Sequence, residues 1–443
     1  MIIVNLSRRE FLRAGAGLTL GIVAPRVLGQ AGPGKAGGES VAGSALEPNA
    51  FVRIGPDNSV TVVVKHLEMG QGTYTGLPTL VAEELDADWR QIRVEAAPAD
   101  AKRYNNLFWG QAQGTGGSTA LANSFEQLRK AGAAARAMLV SAAAQRWGVA
   151  PESLLVRRGM VMHKPSNRSA SFGELATDAA KLPVPGEIKL KSPKDFVYIG
   201  RRVPRTDSRS KSTGTAMFTQ DVRLPGMLTA VVAHPSRFGA KVRSFDASRA
   251  KAVKGVVDVI PIPQGLAVLA NDFWSAKKGR DALGIDWDES EAFTLGSAEI
   301  MAQYKELAAT PGTVARRDGD PEKVFGFSAR TIEATYEFPY LAHAAMEPMN
   351  CVVKLGKDAC EIWNGEQFQT VDQATVAAVV GLKPEQVKLN MLFAGGSFGR
   401  RANPHSDYLV EAASIAKALA EKTESAPPVK LVWTREDDMR AGY

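Results

Sequence analysis

Ala394-Gly395-Gly396-Ser397-Phe398-Gly399-Arg400-Arg401 is the stretch on which the reading of this chain turns. Glycines let backbone N–H groups approach a ligand closely, and the start of a helix adds partial positive charge, so a loop of this kind suits an anion such as phosphate. A helix is expected just beyond it, at about Asp407 to Ala420. Glu68-Met69-Gly70-Gln71-Gly72 follows a strand and leads into a helix in the same way, and Gly114-Thr115-Gly116-Gly117-Ser118 precedes a third helix. The amide of Gln71 suits the edge of a heterocycle. Arg400 or Arg401 suits a phosphate paired bidentately. None of the three closes as a Gly-Lys-Ser/Thr phosphate loop, and none gives a clean Gly-x-Gly-x-x-Gly fingerprint. A tight structural turn is the bland reading of each one alone. One large, extended, phosphate-bearing cofactor explains all three jointly.

Working outward, 443 residues correspond to about three domains. An apolar share of 45% with 23% charged residues excludes a wholly disordered chain. The longest apolar run, Ala14 to Pro25, is shorter than the roughly 20 residues of a membrane-spanning helix. The formal charge is +7, and eight basic against two acidic residues lie between Lys189 and Lys211. Phe196 and Tyr198 are its only aromatics, so it reads as a solvated linker or docking strip and not as a nucleic-acid site. Cys351 and Cys360 are too few for a disulfide framework or a four-thiolate cluster. His66, His163, His234, His343 and His405 are scattered; His343 and Glu347 are four apart but lack a third ligand. No nucleophile elbow or cysteine-protease signature occurs. Phe108, Trp109, Trp363 and Phe368 either line a pocket for a flat substrate or pack in the core.

Ser7-Arg8-Arg9-Glu10-Phe11-Leu12, the apolar run and Gly29 read as a twin-arginine export signal over 1–29. This predicts a periplasmic protein, or one held on the outer side of a bacterial inner membrane through a partner. Residues 30–48 form a Gly/Ala/Ser/Pro tether. A first unit covers 49–182, with a hairpin (Phe51–Ile54, Val60 to Val64), a helix at about 75–85, a strand near 92–95, a long amphipathic helix at 119–147 capped by Ser118, and a capping box at Ser171 to Glu174. The basic linker is 183–211. A second unit, 212–290, alternates short strands such as Leu228 to Ala233 and Val256 to Ile260 with turns, and 291–330 is a connector. The third unit, 331–443, holds strands at 351–354, 361–363 and 429–434 and helices at 370–380 and 407–420.

These loops, with Leu341-Ala342-His343-Ala344-Ala345-Met346-Glu347-Pro348 and Gly214-Thr215-Ala216 through Leu224-Pro225-Gly226-Met227-Leu228, resemble the molybdopterin-binding large subunit of the xanthine dehydrogenase/aldehyde oxidase family. Within it the chain is most similar to the isoquinoline 1-oxidoreductase beta-subunit branch, where the Gly-Gln-Gly loop precedes the hammerhead unit. The resemblance implies an α+β fold with mixed sheets: an N-terminal molybdopterin-binding domain at 49–182, an α/β-hammerhead domain at 212–290, and the start of a second molybdopterin-binding domain at 331–443. It implies molybdopterin cytosine dinucleotide, with molybdenum held by the cofactor's dithiolene, so that no residue here is a metal ligand. Gly70, Gln71 and Gly72 would meet the pterin; Gly116, Gly117 and Ser118 the pyrophosphate; Gly395, Gly396, Phe398, Gly399 and Arg400 the metal side.

The implied chemistry is hydroxylation of an N-heterocyclic aromatic or an aldehyde, with water as oxygen source. The implied partners are a small iron–sulfur subunit carrying 2Fe–2S clusters, a cytochrome acceptor and a separate C-terminal segment. The family's glutamate base belongs to a Gly-x-Gly-Glu motif that this sequence lacks, so no catalytic residue is assigned. The alternatives are a catalytically incomplete remnant that binds the cofactor or docks the iron–sulfur subunit, and an exported nucleotide-sugar or phosphate binder. A unit begun but not finished is expected to leave a sheet edge and apolar surface exposed.

Overall fold

Valine-rich alternation on either side of a Gly-Pro-Asp-Asn turn starts the first sheet. Strands β1 (Leu46–Asn49), β2 (Val52–Ile54) and β3 (Val60–Val64) pair antiparallel in sequence order. Helix α1 (Thr73–Leu85) then carries the chain to β4 (Ile92–Ala96), which lies parallel to β3. The computed structural model describes residues 46–423 and 426–441; the export signal and most of the tether lie outside the described residues.

Helix α1 is buried on almost every side because β3 and β4 flank it and the long helix α2 (Ala120–Trp147) packs across it. Leu77, Val81 and Leu85 meet Leu128, Ala135 and Leu139 in one core. Each such side chain contributes about 1.5–3 kcal/mol on burial. Gly132 sets how closely the helices approach: a Cβ there would lie 2.6 Å from the carbonyl oxygen of Val81. Helix α3 (Phe172–Ala179) opens on the expected capping box, Ser171 with Glu174.

The basic linker is largely exposed, as its charge suggests, but it is not free. Glu83 and Glu84, both on α1, are fully buried. Glu83 accepts from the backbone N–H groups of Val197, Tyr198 and Ile199 and from Lys191 Nζ. Glu84 takes the Lys191 N–H and the Arg129 guanidinium. A buried carboxylate needs donors, and an extended segment without ladder partners has backbone donors to give. Burial alone would raise the Glu83 pKa, but the three N–H groups and Lys191 outweigh it and hold it below the usual carboxylate value. The stability this supplies is present above the unfolded pKa and is lost as pH falls through the folded one. Glu83→Gln turns an amide group toward these donors and is expected to cost about 2–3 kcal/mol. A urea midpoint followed by circular dichroism checks it, and a midpoint unchanged from the parent would refute the strap.

The second sheet has seven strands in the order β10-β11-β8-β16-β13-β14-β15, formed by β8 (Leu228–Ala233), β10 (Val256–Ile262), β11 (Gly265–Ala270), β13 (Asn350–Leu355), β14 (Cys360–Asn364), β15 (Val387–Met391) and β16 (Val429–Val432). The segments 212–290 and 331–443 therefore do not form separate sheets. They join where β8 runs parallel to β16, Leu228 opposite Val429. Both strands are buried on successive residues, Thr229 and Lys430 included, so each faces protein on both sides and takes a neighbour at both edges. Apart from these two sheets stand the ribbon of β9 (Lys241–Asp246) with β12 (Gly284–Asp288) and the antiparallel sheet of β5 (Leu155–Arg157), β6 (Met160–His163) and β7 (Arg168–Ser171). Helices α5 (Gln369–Val380) and α6 (Asp407–Ala420) pack with this sheet around Cys351, Val353, Ile362, Leu409, Ala413 and Leu431. Helix α4 (Phe273–Asp281), which lies against β8 and β11, offers only Ala276 and Gly279 as buried residues, and the sequence reading passes over it. The fold is α+β with mixed sheets. Among the described residues, no helix is long and apolar enough to cross a membrane.

Candidate cofactor site

The loop between β3 and α1 folds around its own glutamate. Glu68 is fully buried and accepts from the N–H groups of Gly70 (2.8 Å), Gly72 (3.3 Å) and Tyr74 (3.1 Å). Arg205 and Lys211, from the end of the linker, reach the same carboxylate at 3.1 and 3.2 Å. Burial would raise its pKa, but the Tyr74 N–H and the Lys211 charge overcome it and keep it lowered. Gly70 and Gly72 sit at φ 115° and 95°, where other residues are strained. Gln71 does not hold its amide out for a heterocycle. Its Nε2 donates to the Leu67 carbonyl at 2.7 Å and its Oε1 accepts from the Met69 N–H at 2.8 Å, so the side chain stitches the loop.

His66 ties the second loop to the first. Its Nδ1 lies 3.0 Å from the Gly114 carbonyl and its Nε2 3.0 Å from Asn123 at the start of α2. Burial, helped by the neighbouring Lys65 charge, lowers its pKa to about 4, so the ring is neutral and its partners assign the proton to Nδ1. The Leu67 N–H donates to Thr115 Oγ1 at 2.9 Å. Ser118 does not cap α2. Thr119 stands at that position, with its hydroxyl donating to the Gly116 carbonyl, while Ser118 turns left-handed at φ 55°.

Gln367, which the sequence reading does not single out, closes the arrangement. Its backbone carbonyl accepts from the Thr115 N–H (2.9 Å), its Nε2 donates to the Thr115 carbonyl (2.6 Å), and its Oε1 accepts from Ser397 Oγ (2.6 Å). The Ala394 N–H donates to the Glu68 carbonyl at 3.1 Å. Three loops starting at 68, 114 and 394 thus meet. No spacing rule exposes Gln367, because its role exists only once the distant loops are adjacent.

The two arginines are structural. Arg400 pairs with Asp407 at 2.6 Å and lies over the Trp433 ring at 5.2 Å. Arg401 reaches Glu347 (3.0 Å), Asn364 Oδ1 (3.1 Å) and the Gly396 carbonyl (3.1 Å). Both are buried, so the expected bidentate grip on a phosphate is not made; the fork serves the loop's own shape. His343 and Glu347 form no metal pair either, since Glu347 accepts from Arg401, the Gly395 N–H and Asn350. Among the described residues, no three His, Cys, Asp or Glu side chains group as a metal site. Cys351 and Cys360 lie in the core of the second sheet.

What the loops present outward is a rim. Gly70, Gln71, Gly117, Ser118 and Phe398 are exposed. Phe398 is 76% exposed at φ 57°, a strained conformation for a bulky aromatic. Trp109 walls the second loop: a Cβ at Gly114 or Gly116 would lie 2.6 or 2.9 Å from its ring. Phe368 meets the same ring edge-on at 5.6 Å, while Phe108 is exposed. Trp363 is placed in β14, where it is a ladder residue opposite Val352 and Asn390. Left-handed corners at Gly70, Gly396 and Gly399, with nothing within 4 Å of a Cβ at Gly70, fit close approach by a large flat ligand.

Beneath this floor, the side chains of Glu366 and Asp372 are fully buried and close enough to interact. Burial raises both pKa values, reinforced at Asp372 by the Glu366 charge. The stability of the pair is intact below the unfolded pKa and declines as pH rises through the folded one. Asp372→Asn is expected to flatten that decline. Urea midpoints at mildly acid and mildly alkaline pH measure it, and an unaltered slope would contradict the raised pKa of Asp372.

Residues 11–224 and 306–443 each match a family described as a molybdopterin cofactor-binding domain. The chain belongs to the xanthine dehydrogenase/aldehyde oxidase family of molybdenum-binding subunits. It is 32% identical, over 99% of its length, to the isoquinoline 1-oxidoreductase subunit beta of Brevundimonas diminuta, and 32% identical, over 98%, to the membrane-bound aldehyde dehydrogenase [pyrroloquinoline-quinone] of Gluconacetobacter polyoxogenes. It spans 60% and 56% of those two relatives. Quinoline 2-oxidoreductase from Pseudomonas putida 86 aligns over 53% of this chain and 34% of its own, at 18% identity and a TM-score of 0.42.

Proposed function

We propose that this chain is the cofactor-binding part of an exported molybdenum hydroxylase that oxidises an N-heterocyclic aromatic such as isoquinoline, or an aldehyde, with water as the oxygen source. The meeting of the three glycine loops through Thr115, Gln367 and Ser397 carries the reading, because it sets one continuous rim where separate turns would serve no ligand. The cofactor is molybdopterin cytosine dinucleotide, which supplies the oxygen-transfer and two-electron chemistry when bound. Gly70, Gly117 and Ser118 line its approach, Gly396, Phe398 and Gly399 face its other side, and Trp109 with Phe368 shields the second loop. Glu68 and Glu347 are both spent on loop donors, so neither is assigned as a general base. Electrons leave through a small subunit with 2Fe–2S clusters toward an external acceptor such as a cytochrome.

Metal analysis and acid hydrolysis of the assembled protein test this. About one molybdenum and one cytidine monophosphate per chain are expected, on the stoichiometry of a single buried cofactor. Nucleotide without metal, or neither, would overturn the proposal. Full cofactor content without dye reduction by isoquinoline or aldehydes in the assembled protein would favour the catalytically incomplete alternative.

A further inference from the structure

Residues 331–340 read Thr-Ile-Glu-Ala-Thr-Tyr-Glu-Phe-Pro-Tyr. Ile332, Ala334, Tyr336, Phe338 and Tyr340 alternate with Thr331, Glu333, Thr335, Glu337 and Pro339, which is the period of a strand with one apolar face. Yet the segment belongs to no sheet, and among the described residues no backbone hydrogen bond joins it to any other segment. Ile332, Tyr336, Phe338 and Tyr340 are each more than three-quarters exposed. Its contacts are lateral: Glu337 pairs with Lys305 and the Tyr340 hydroxyl bonds that of Tyr304, both from the exposed helix Ser297–Ala308. Three aromatics of this size carry roughly 450–750 Å² of burial, at or above the largest apolar patch usual on a monomer, about 300–600 Å². A row of free N–H and C=O groups beside an apolar stripe is a template for another strand.

We infer that 331–340 is an acceptor strand for a β-edge in polypeptide corresponding to the part of the curated relatives that this chain does not span. Those relatives hold that additional length, some 40% of the first of them. The position also favours it. Five residues past Tyr340 the same chain reaches Ala345, against which a Cβ at Gly396 would lie at 3.3 Å, so the segment leads directly into the third loop of the rim. Pairing supplies the missing backbone partners and covers the stripe in one step. The inference stands on exposure and alternation, without reference to the cofactor.

Amide hydrogen exchange read by mass spectrometry tests it on two samples: the chain alone, and the chain joined to or co-expressed with the polypeptide encoded directly downstream. Alone, amides 331–340 are expected to exchange at nearly the unprotected rate; joined, they slow by about 100-fold or more. The double substitution Tyr336→Lys with Phe338→Lys removes that protection while β13 stays as protected as in the parent, which separates lost pairing from lost folding. Fast exchange of 331–340 in the joined sample overturns the inference. So does protection in the isolated chain that grows with concentration, which would assign the strand to a second copy.

Discussion

Glu68→Ala is expected to lower stability by about 3–5 kcal/mol, the range for breaking a buried ion pair from one side. The carboxylate is the sole shared acceptor for the N–H groups of Gly70, Gly72 and Tyr74, and it faces Arg205 and Lys211. Removing it strands three backbone donors and leaves Arg205 and Lys211 with Asp207 as their shared carboxylate partner. The first loop then loses the corner that presents Gly70, so molybdenum content should fall together with the denaturation midpoint. Glu68→Gln keeps one acceptor oxygen and should retain a fraction of both. If alanine lowers the midpoint by less than about 1 kcal/mol, the network is not the support of the loop.

Arg401→Ala should cost a similar amount, about 3–5 kcal/mol, because the guanidinium is wholly buried and its loss strands Glu347. Arg401→Lys should not rescue it, since one ammonium on a flexible stem cannot span Glu347, Asn364 and the Gly396 carbonyl as a planar fork does. Combining Arg401→Met with Glu347→Gln should recover part of the loss, because no unpaired charge then remains. Urea denaturation of the three variants checks this. A double variant no more stable than Arg401→Ala would show that the pair is not coupled.

Much of the scaffold was legible because its signals are local. The valine alternation of β3, the helical spacing from Leu121 to Leu139 and the Ser171–Glu174 box depend on neighbours within one or two turns, and they appear where expected. The glycine loops were legible as positions but not as hydrogen-bonded objects. Gln71, Arg400 and Arg401 have side chains suited to ligands, yet each finds a closer partner inside the protein, and no one-dimensional rule ranks these competitors. Gln367, Glu83 and Glu84 were invisible for the opposite reason: nothing in a lone glutamine or a pair of helix glutamates says that a segment more than 100 residues away supplies their partners. The division at residue 290 follows a change in local pattern, whereas the sheet follows the apolar faces of β8 and β16 across it.

The pairing of β8 with β16 also has a temporal side. About 200 residues of translation separate these two strands, which at ribosomal speeds is roughly 10–40 s. Throughout that interval an apolar strand destined for the middle of a sheet has one flank open, a state that invites cytosolic chaperones or clumping. A cell making this protein thus has reason to shield the nascent chain and to delay any transport until the last strand has docked.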